Sequence, residues 1–131
     1  KDGETTSEGY SASDLNSMAG SLDAGVGALN DQGTGGHFAN AASMKGNTAG
    51  TGVVGGKTIT MNTSHQSFGN NQATQFTIGH ESLHNAGLTH PKYMGNIPYK
   101  FGSFGEKMSY KNLPSHKQVT NPDHVMSQVF P

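Results

Sequence analysis

The sequence predicts a small α/β (α+β) domain with a twisted mixed sheet, two main helices and a long, loop-rich C-terminal part. Three observations carry this prediction: apolar residues at helical spacing in residues 14–29, alternation in residues 57–63, and a second helical stretch in residues 72–86. A chain of 131 residues is of ordinary size for one domain, so we expect a single domain over residues 1–131.

The first predicted helix covers residues 14–29 and is expected to back the sheet. Its apolar side chains recur every three or four residues and so share one face: Leu15, Met18, Leu22, Val26 and Leu29. Ser13 is suitably placed to cap the N-terminus. Three internal glycines each weaken the helix by up to about 1 kcal/mol relative to alanine, so tertiary packing must hold it.

Strands are predicted in the glycine-punctuated stretch that follows. Short strands are expected at residues 37–41 and at Val53–Val54. Residues 57–63 alternate Ile59 and Met61 with polar side chains, which is typical of a strand with one face on the core. Because its other face is polar, we expect this strand at an edge of the sheet, over a cleft.

The second predicted helix covers residues 72–86 and ends at Gly87. Glycine readily adopts the positive φ angle that ends a helix and reverses the chain. Glycines and prolines interrupt residues 92–131 repeatedly, so mostly loop is expected there.

Strongly apolar residues are scarce in this chain. Leu, Ile, Val and Phe together number 21 of 131 residues, whereas Ser, Thr, Asn and Gly number 55. Disorder from charge repulsion is not indicated, because the net charge is only -1. We therefore expect something besides hydrophobic burial to stabilise the fold.

Composition excludes several classes of function. All eight basic residues are lysine and the pI is about 6.7, so nucleic-acid binding is not expected. No apolar run approaches 18 residues, which argues against a membrane protein. The absence of cysteine leaves histidines and carboxylates as the ligands for any transition metal.

Residues 80–90 read HESLHNAGLTH and contain the candidate metal-binding residues. His80 and His84 are four residues apart, so on a helix both imidazoles lie on one face and can converge on one metal ion. Glu81 can reach a water on that metal, and the reversal at Gly87 lets His90 return as a third ligand. Three imidazoles around Zn²⁺ leave one position for water, the arrangement of a catalytic site.

This segment resembles the metzincin zinc metallopeptidases, whose motif HExxHxxGxxH it matches at each fixed position. The resemblance implies that His80, His84 and His90 ligate one catalytic Zn²⁺ and that Glu81 is the general base. It also implies a methionine turn beneath the metal, for which Met126 in the segment DHVMS is the candidate.

In this family the edge strand upstream of the active-site helix binds substrate backbone, which implies that role for Thr58, Ile59, Thr60, Met61 and Asn62. Some members place a tyrosine two residues after the methionine, but Gln128 stands there. Tyr93, Tyr99 or Tyr110 remain as donors to the oxyanion. A third ligand from Glu106 or Asp123 is the weaker alternative to His90.

The expected function is a zinc-dependent metalloendopeptidase that hydrolyses peptide bonds through a zinc-bound water. Two alternatives are an amide hydrolase acting on peptidoglycan and an inactive zinc-stabilised binding module. The loop-rich, arginine-free sequence is also similar to C-terminal toxin domains of bacterial secretion systems, some of which are metallopeptidases. We expect a secreted or delivered monomer that meets a protein or peptide substrate and an inhibitor or immunity protein, with no membrane or nucleic-acid partner.

Overall fold

The computed structural model describes residues 9–31, 38–46 and 48–130, and within these ranges it contains five helices and three strands. The predicted mixed α/β class is confirmed. The helices are α1 (Ala12–Asn30), α2 (Asn71–Asn85), α3 (Phe104–Asn112), α4 (Ser115–Gln118) and α5 (Pro122–Met126). The strands are β1 (Phe38–Ala42), β2 (Gly50–Gly52) and β3 (Thr58–Asn62).

The sheet has the order β1-β3-β2, with β1 parallel and β2 antiparallel to β3. The strand predicted over residues 57–63 is therefore present as β3, but its predicted edge position is wrong. Alternation of apolar and polar residues reports the two faces of a strand and carries no information about its two edges. Ile59 and Met61 are buried as predicted, and Asn62 is buried with them.

The strand predicted at Val53–Val54 is displaced to β2, and the two valines lie exposed in the turn between β2 and β3. Gly55, with a φ of +67°, helps to form this turn. The predicted strand at residues 37–41 corresponds to β1, although His37 lies outside the described residues.

Helix α1 begins earlier than predicted, because Ser11 rather than Ser13 is the N-cap. The Ser11 Oγ atom accepts from the Asp14 N–H, and the Asp14 carboxylate accepts from the Ser11 N–H, which forms a capping box. The helix packs chiefly against α2 and also against α5 rather than against the sheet. Its predicted apolar face is only partly covered: Met18 is buried, whereas Leu15 and Val26 are exposed.

Helix α2 runs between the sheet and the other helices, with β2 and β3 on one side and α1 and α5 on the other. The Asn70 side chain caps its N-terminus by accepting from the Ala73 N–H. At its C-terminus Gly87 has a φ of +107°, and Leu88 N–H donates to the Leu83 carbonyl while Gly87 N–H donates to the His84 carbonyl. This Schellman motif reverses the chain as the glycine predicted.

The C-terminal part is more helical than expected, since α3, α4 and α5 lie in the stretch predicted as mostly loop. These helices have nine, four and five residues. Such lengths contain too few turns for helical periodicity to be visible. Local signals nevertheless start two of them: a capping box of Ser103 and Glu106 begins α3, and Pro122 occupies the first turn of α5.

The main apolar core lies between α1, α2 and α5. Its buried members are Tyr10, Met18, Phe76, Leu83, Val125 and Met126. This small cluster agrees with the scarcity of apolar residues in the sequence. None of the described helices is both long enough and apolar enough to cross a membrane.

Candidate metal centre

Three histidines meet at the C-terminal half of α2. His80 and His84 lie one turn apart on α2, and His90 follows the turn that Gly87 begins. Each of the three offers a ring nitrogen, and these nitrogens lie within 4.8 Å of one another. The His84 and His90 Nε2 atoms are 3.0 Å apart. The convergence predicted from the spacing is therefore present, and the cluster could hold a metal ion.

The turn after α2 also fixes the ring of His84. Its Nδ1 atom lies 2.7 Å from the carbonyl oxygen of Leu88, the residue after Gly87. An imidazole that donates from Nδ1 keeps Nε2 free as a lone-pair donor. The same chain reversal thus brings His90 back to the two histidines of α2 and also orients the His84 ring.

A carboxylate orients His80 in the same way. The Asp123 Oδ1 atom lies 2.5 Å from His80 Nδ1, and Asp123 Oδ2 accepts from the Lys100 N–H at 2.8 Å. Burial raises the pKa of Asp123, but the hydrogen bond and charge of His80 outweigh burial and lower it overall. Asp123, considered from the sequence only as an alternative ligand, is instead the hydrogen-bond partner of the His80 imidazole at Nδ1.

Asn121 lies beside the third histidine. His90 Nδ1 and Asn121 Oδ1 are both buried, and neither has a hydrogen-bond partner among the described residues. The Asn121 side chain is the smallest influence on the pKa of His90, and it opposes the overall lowering of that pKa. The Asn121 Nδ2 atom is directed to the Pro98 carbonyl at 3.1 Å and to His124 Nδ1 at 2.7 Å. No sequence motif indicated Asn121, because its partners are distant along the chain.

The three histidines of the cluster differ in the direction of their pKa shifts. Burial, followed by the charges of His80 and His84, lowers the pKa of His90 to about 4. Burial also lowers the pKa of His84, against its bond to the Leu88 carbonyl. Burial acts to lower the pKa of His80, but Asp123 and Glu81 raise it overall. Two imidazoles are thus neutral near pH 7, the form that binds a divalent transition metal.

Glu81 contributes a buried carboxylate to this cluster. Its side chain is about 5% exposed and its Oε1 atom lies 3.8 Å from His84 Nε2. Burial raises its pKa to about 7, with the His80 charge opposing this and the Asp123 charge adding to it. A carboxyl that titrates near neutral pH can exchange a proton readily at that pH.

Strand β2 passes directly over Glu81. A Cβ atom at Gly52 would lie 2.5 Å from the Glu81 carbonyl oxygen, and one at Gly50 would lie 3.5 Å from Glu81 Cγ and 2.9 Å from the Thr60 carbonyl oxygen. Only glycine allows so close an approach of strand and helix at Gly52. The glycines that interrupt this stretch of sequence therefore bring a sheet edge to the histidine cluster.

The strand predicted to bind substrate, Thr58–Asn62, does not have a free edge. It pairs with β1 on one side and with β2 on the other. Among the described residues, the free edge next to Glu81 belongs to β2.

Met126, the candidate for a methionine turn, packs against α2. The segment forms the short helix α5, and Met126 is 5% exposed. Its side chain fills the space at Gly79, where a Cβ atom would lie 2.2 Å from Met126 Cε. Met126 thus packs against the backbone immediately before His80.

One of the three open tyrosine candidates reaches the histidines. The Tyr99 hydroxyl lies 3.4 Å from His90 Nε2, and the ring centroids of these residues are 4.9 Å apart. Burial, followed by the charges of Asp123, Glu81 and Glu106, raises the pKa of Tyr99 to about 12. Its hydroxyl is therefore protonated at neutral pH.

The chain matches no protein-family model, no curated protein and no solved structure.

Proposed function

We propose that this chain is a zinc-dependent metalloendopeptidase of the metzincin type. The observation that supports it is the convergence of His80, His84 and His90 with the buried Glu81 carboxylate 3.8 Å from a ligand nitrogen. The motif HExxHxxGxxH supplies all four residues, with Gly87 at the turn. A protein or peptide is the proposed substrate.

Zinc is the proposed ion because three imidazoles from one helix and its following turn are typical ligands of a catalytic zinc site. When bound there, the ion would polarise the scissile carbonyl and lower the pKa of an adjacent water. Asp123 and the Leu88 carbonyl hold the Nδ1 atoms of His80 and His84, so their Nε2 atoms are free to bind it.

Glu81 is the proposed general base. It takes one proton from the attacking water as the water oxygen bonds to the carbonyl carbon. It then gives that proton to the amide nitrogen as the C–N bond breaks, so the products are a carboxylic acid and an amine. Its pKa of about 7 allows it to perform both transfers near neutral pH.

The outer edge of β2 is the proposed binding site for substrate backbone, in place of Thr58–Asn62. The Asn62 N–H donates to the Ala49 carbonyl and the Val53 N–H donates to the Thr58 carbonyl. Since hydrogen-bonding direction alternates along an antiparallel strand, Gly50 and Gly52 direct their peptide groups away from β3. An extended peptide can pair with these groups beside Glu81.

The test compares the native protein with Glu81→Gln, and Asp23→Asn on the exposed face of α1 is the control. Metal content is measured by elemental analysis, and cleavage is measured on unfolded proteins and a diverse peptide library by mass spectrometry. We expect one zinc per chain in all three proteins and loss of nearly all hydrolysis only in Glu81→Gln. A folded, fully active Glu81→Gln protein would contradict the role of Glu81. Bound zinc without any cleavage by the native protein would favour a binding module.

A further inference from the structure

We propose that Tyr99 is a further catalytic residue, whose hydroxyl donates a hydrogen bond to the substrate oxygen that gains negative charge during peptide hydrolysis. This inference rests on the proposed function and deepens it. The sequence leaves the oxyanion donor open among three tyrosines, and the contacts around the histidine cluster distinguish them.

The hydroxyl of Tyr99 lies next to the ligand nitrogens. It is 3.4 Å from His90 Nε2, which is itself 3.0 Å from His84 Nε2. The Tyr99 ring also stacks on His80 with a centroid distance of 6.2 Å. A donor beside the nitrogens that face a bound metal can reach a substrate oxygen drawn to the same place.

Two side chains hold the backbone on both sides of Tyr99. Asn121 Nδ2 lies 3.1 Å from the carbonyl oxygen of Pro98, and Asp123 Oδ2 accepts from the N–H of Lys100 at 2.8 Å. Asp123 also bonds to His80 in the histidine cluster through its other oxygen, and Asn121 bonds to His124. The backbone around Tyr99 is therefore held in part by the residue that orients His80, as a donor fixed before reaction requires.

The other tyrosines are engaged elsewhere. The Tyr110 hydroxyl lies 3.0 Å from Ser127 Oγ, and its ring stacks on His124. The Tyr10 hydroxyl donates to the Gln118 side chain. The Tyr93 ring lies near Lys117 Nζ, and its backbone forms a turn with Asn96. Of these residues, Tyr99 is the one with a hydroxyl at the metal centre.

The first test is steady-state kinetics of zinc-loaded Tyr99→Phe, with Tyr110→Phe as the matched control. Loss of one oxyanion donor commonly lowers kcat about 100- to 1000-fold. We expect a fall of at least about 10-fold in kcat for Tyr99→Phe, little change in KM and native zinc affinity. Tyr110→Phe should keep native kcat. Native kcat in folded, zinc-loaded Tyr99→Phe would overturn the role of Tyr99 and leave the proposed function standing.

The second test does not depend on turnover. Inorganic phosphate, a tetrahedral oxyanion, is titrated into the Co²⁺-loaded native protein and both variants, and binding is followed by the visible spectrum of Co²⁺. We expect phosphate to bind at least about 10-fold more weakly to Tyr99→Phe than to the native protein or Tyr110→Phe. Equal phosphate affinity in all three would overturn the proposal for Tyr99. Failure of the native protein to cleave peptides would instead count against the peptidase function.

Discussion

The carboxylate of Asp123 and the imidazole of His80 form a hydrogen bond of 2.5 Å across 43 residues of sequence. This bond ties α5 to α2 at the metal centre. The second oxygen of Asp123 accepts from the Lys100 N–H, so one side chain holds three separate segments together. A buried partner at Nδ1 fixes both the tautomer and the orientation of a metal-binding histidine.

Replacing this carboxylate should weaken metal binding. Loss of an outer-shell partner typically costs 10- to 100-fold in metal affinity, and we expect a loss of about that size for Asp123→Asn. Zinc affinity is measured by competition with a chromophoric chelator, with Asp23→Asn as the control. Native affinity in folded Asp123→Asn would show that the carboxylate does not support the ligand.

Contact between Gly79 and the buried Met126 side chain should make an added methyl group at position 79 unfavourable. A Cβ atom at position 79 would meet Met126 Cε at 2.2 Å and Sδ at 2.6 Å. Overpacking of a core typically costs about 1–3 kcal/mol, so Gly79→Ala should lower the free energy of unfolding by about that amount. Urea denaturation provides the measurement.

A control and a double variant sharpen this test. Gly20 on α1 has no atom within 4 Å of an added Cβ, so Gly20→Ala should stabilise by up to about 1 kcal/mol. In a Met126→Ala background the penalty of Gly79→Ala should disappear, because the clashing atoms are gone. An unchanged penalty in that background would refute the contact as its cause.

Buried His124 should make the fold sensitive to mild acid. Burial is the main cause that lowers its pKa from 6.5 to about 4, and the Lys100 charge lowers the pKa further. The Asp123 charge and the Tyr110 carbonyl oppose this shift. Between these values the unfolded chain binds the proton and the folded chain does not. Protonation of His124 therefore does not reduce the free energy of unfolding above pH 6.5. The free energy of unfolding falls progressively as the pH decreases from 6.5 towards 4.

The measurement is the free energy of unfolding between pH 7 and pH 4.5 with chelator present. His124→Phe keeps a ring against Tyr110 but cannot titrate, so its pH dependence should be flatter by up to about 1.4 kcal/mol per pH unit. His116→Gln, at an exposed position of α4, is the control for replacing a histidine outside the core. A native slope in His124→Phe would assign the acid sensitivity to other groups.

Met94 should reduce the stability of the fold, because it occupies a left-handed position in the turn between Tyr93 and Asn96. It has a φ of +55° and is 60% exposed, and Gly95 follows with a φ of +75° between the paired residues Tyr93 and Asn96. Asparagine tolerates this left-handed conformation better than methionine does. We expect Met94→Asn to raise the free energy of unfolding by about 0.5–1 kcal/mol, measured by urea denaturation. The nearby Lys92→Asn should have little effect, and a loss of stability in Met94→Asn would contradict this account.

Metal removal should lower the melting temperature as well as the activity. The apolar core is small, and a ligand bound only to the folded state adds about 4 kcal/mol to stability at 1000 times its dissociation constant. Calorimetry with zinc and with chelator measures the effect. His84→Gln should lose the response, whereas His116→Gln should keep it. An unchanged melting temperature after chelation of the zinc-loaded native protein would mean that the core alone is sufficient.

Local geometry made part of the fold predictable. Positions of α2 and β3 follow from spacing rules that depend only on neighbouring residues. The order of strands does not, because alternation along β3 is the same whether the strand is central or at an edge. Helices α3, α4 and α5 were not predicted, because each is too short to show a helical periodicity of apolar residues.

The sequence by itself determined the histidine cluster. The four-residue spacing of His80 and His84 and the turn at Gly87 act within one helix and its cap, where backbone geometry is nearly invariant. Only the tertiary structure decided the partners of that cluster: Asp123 at His80 and, among the three open tyrosines, Tyr99 at His90. It also moved the free sheet edge from β3 to β2. These contacts join residues distant along the chain, so they depend on how the elements pack.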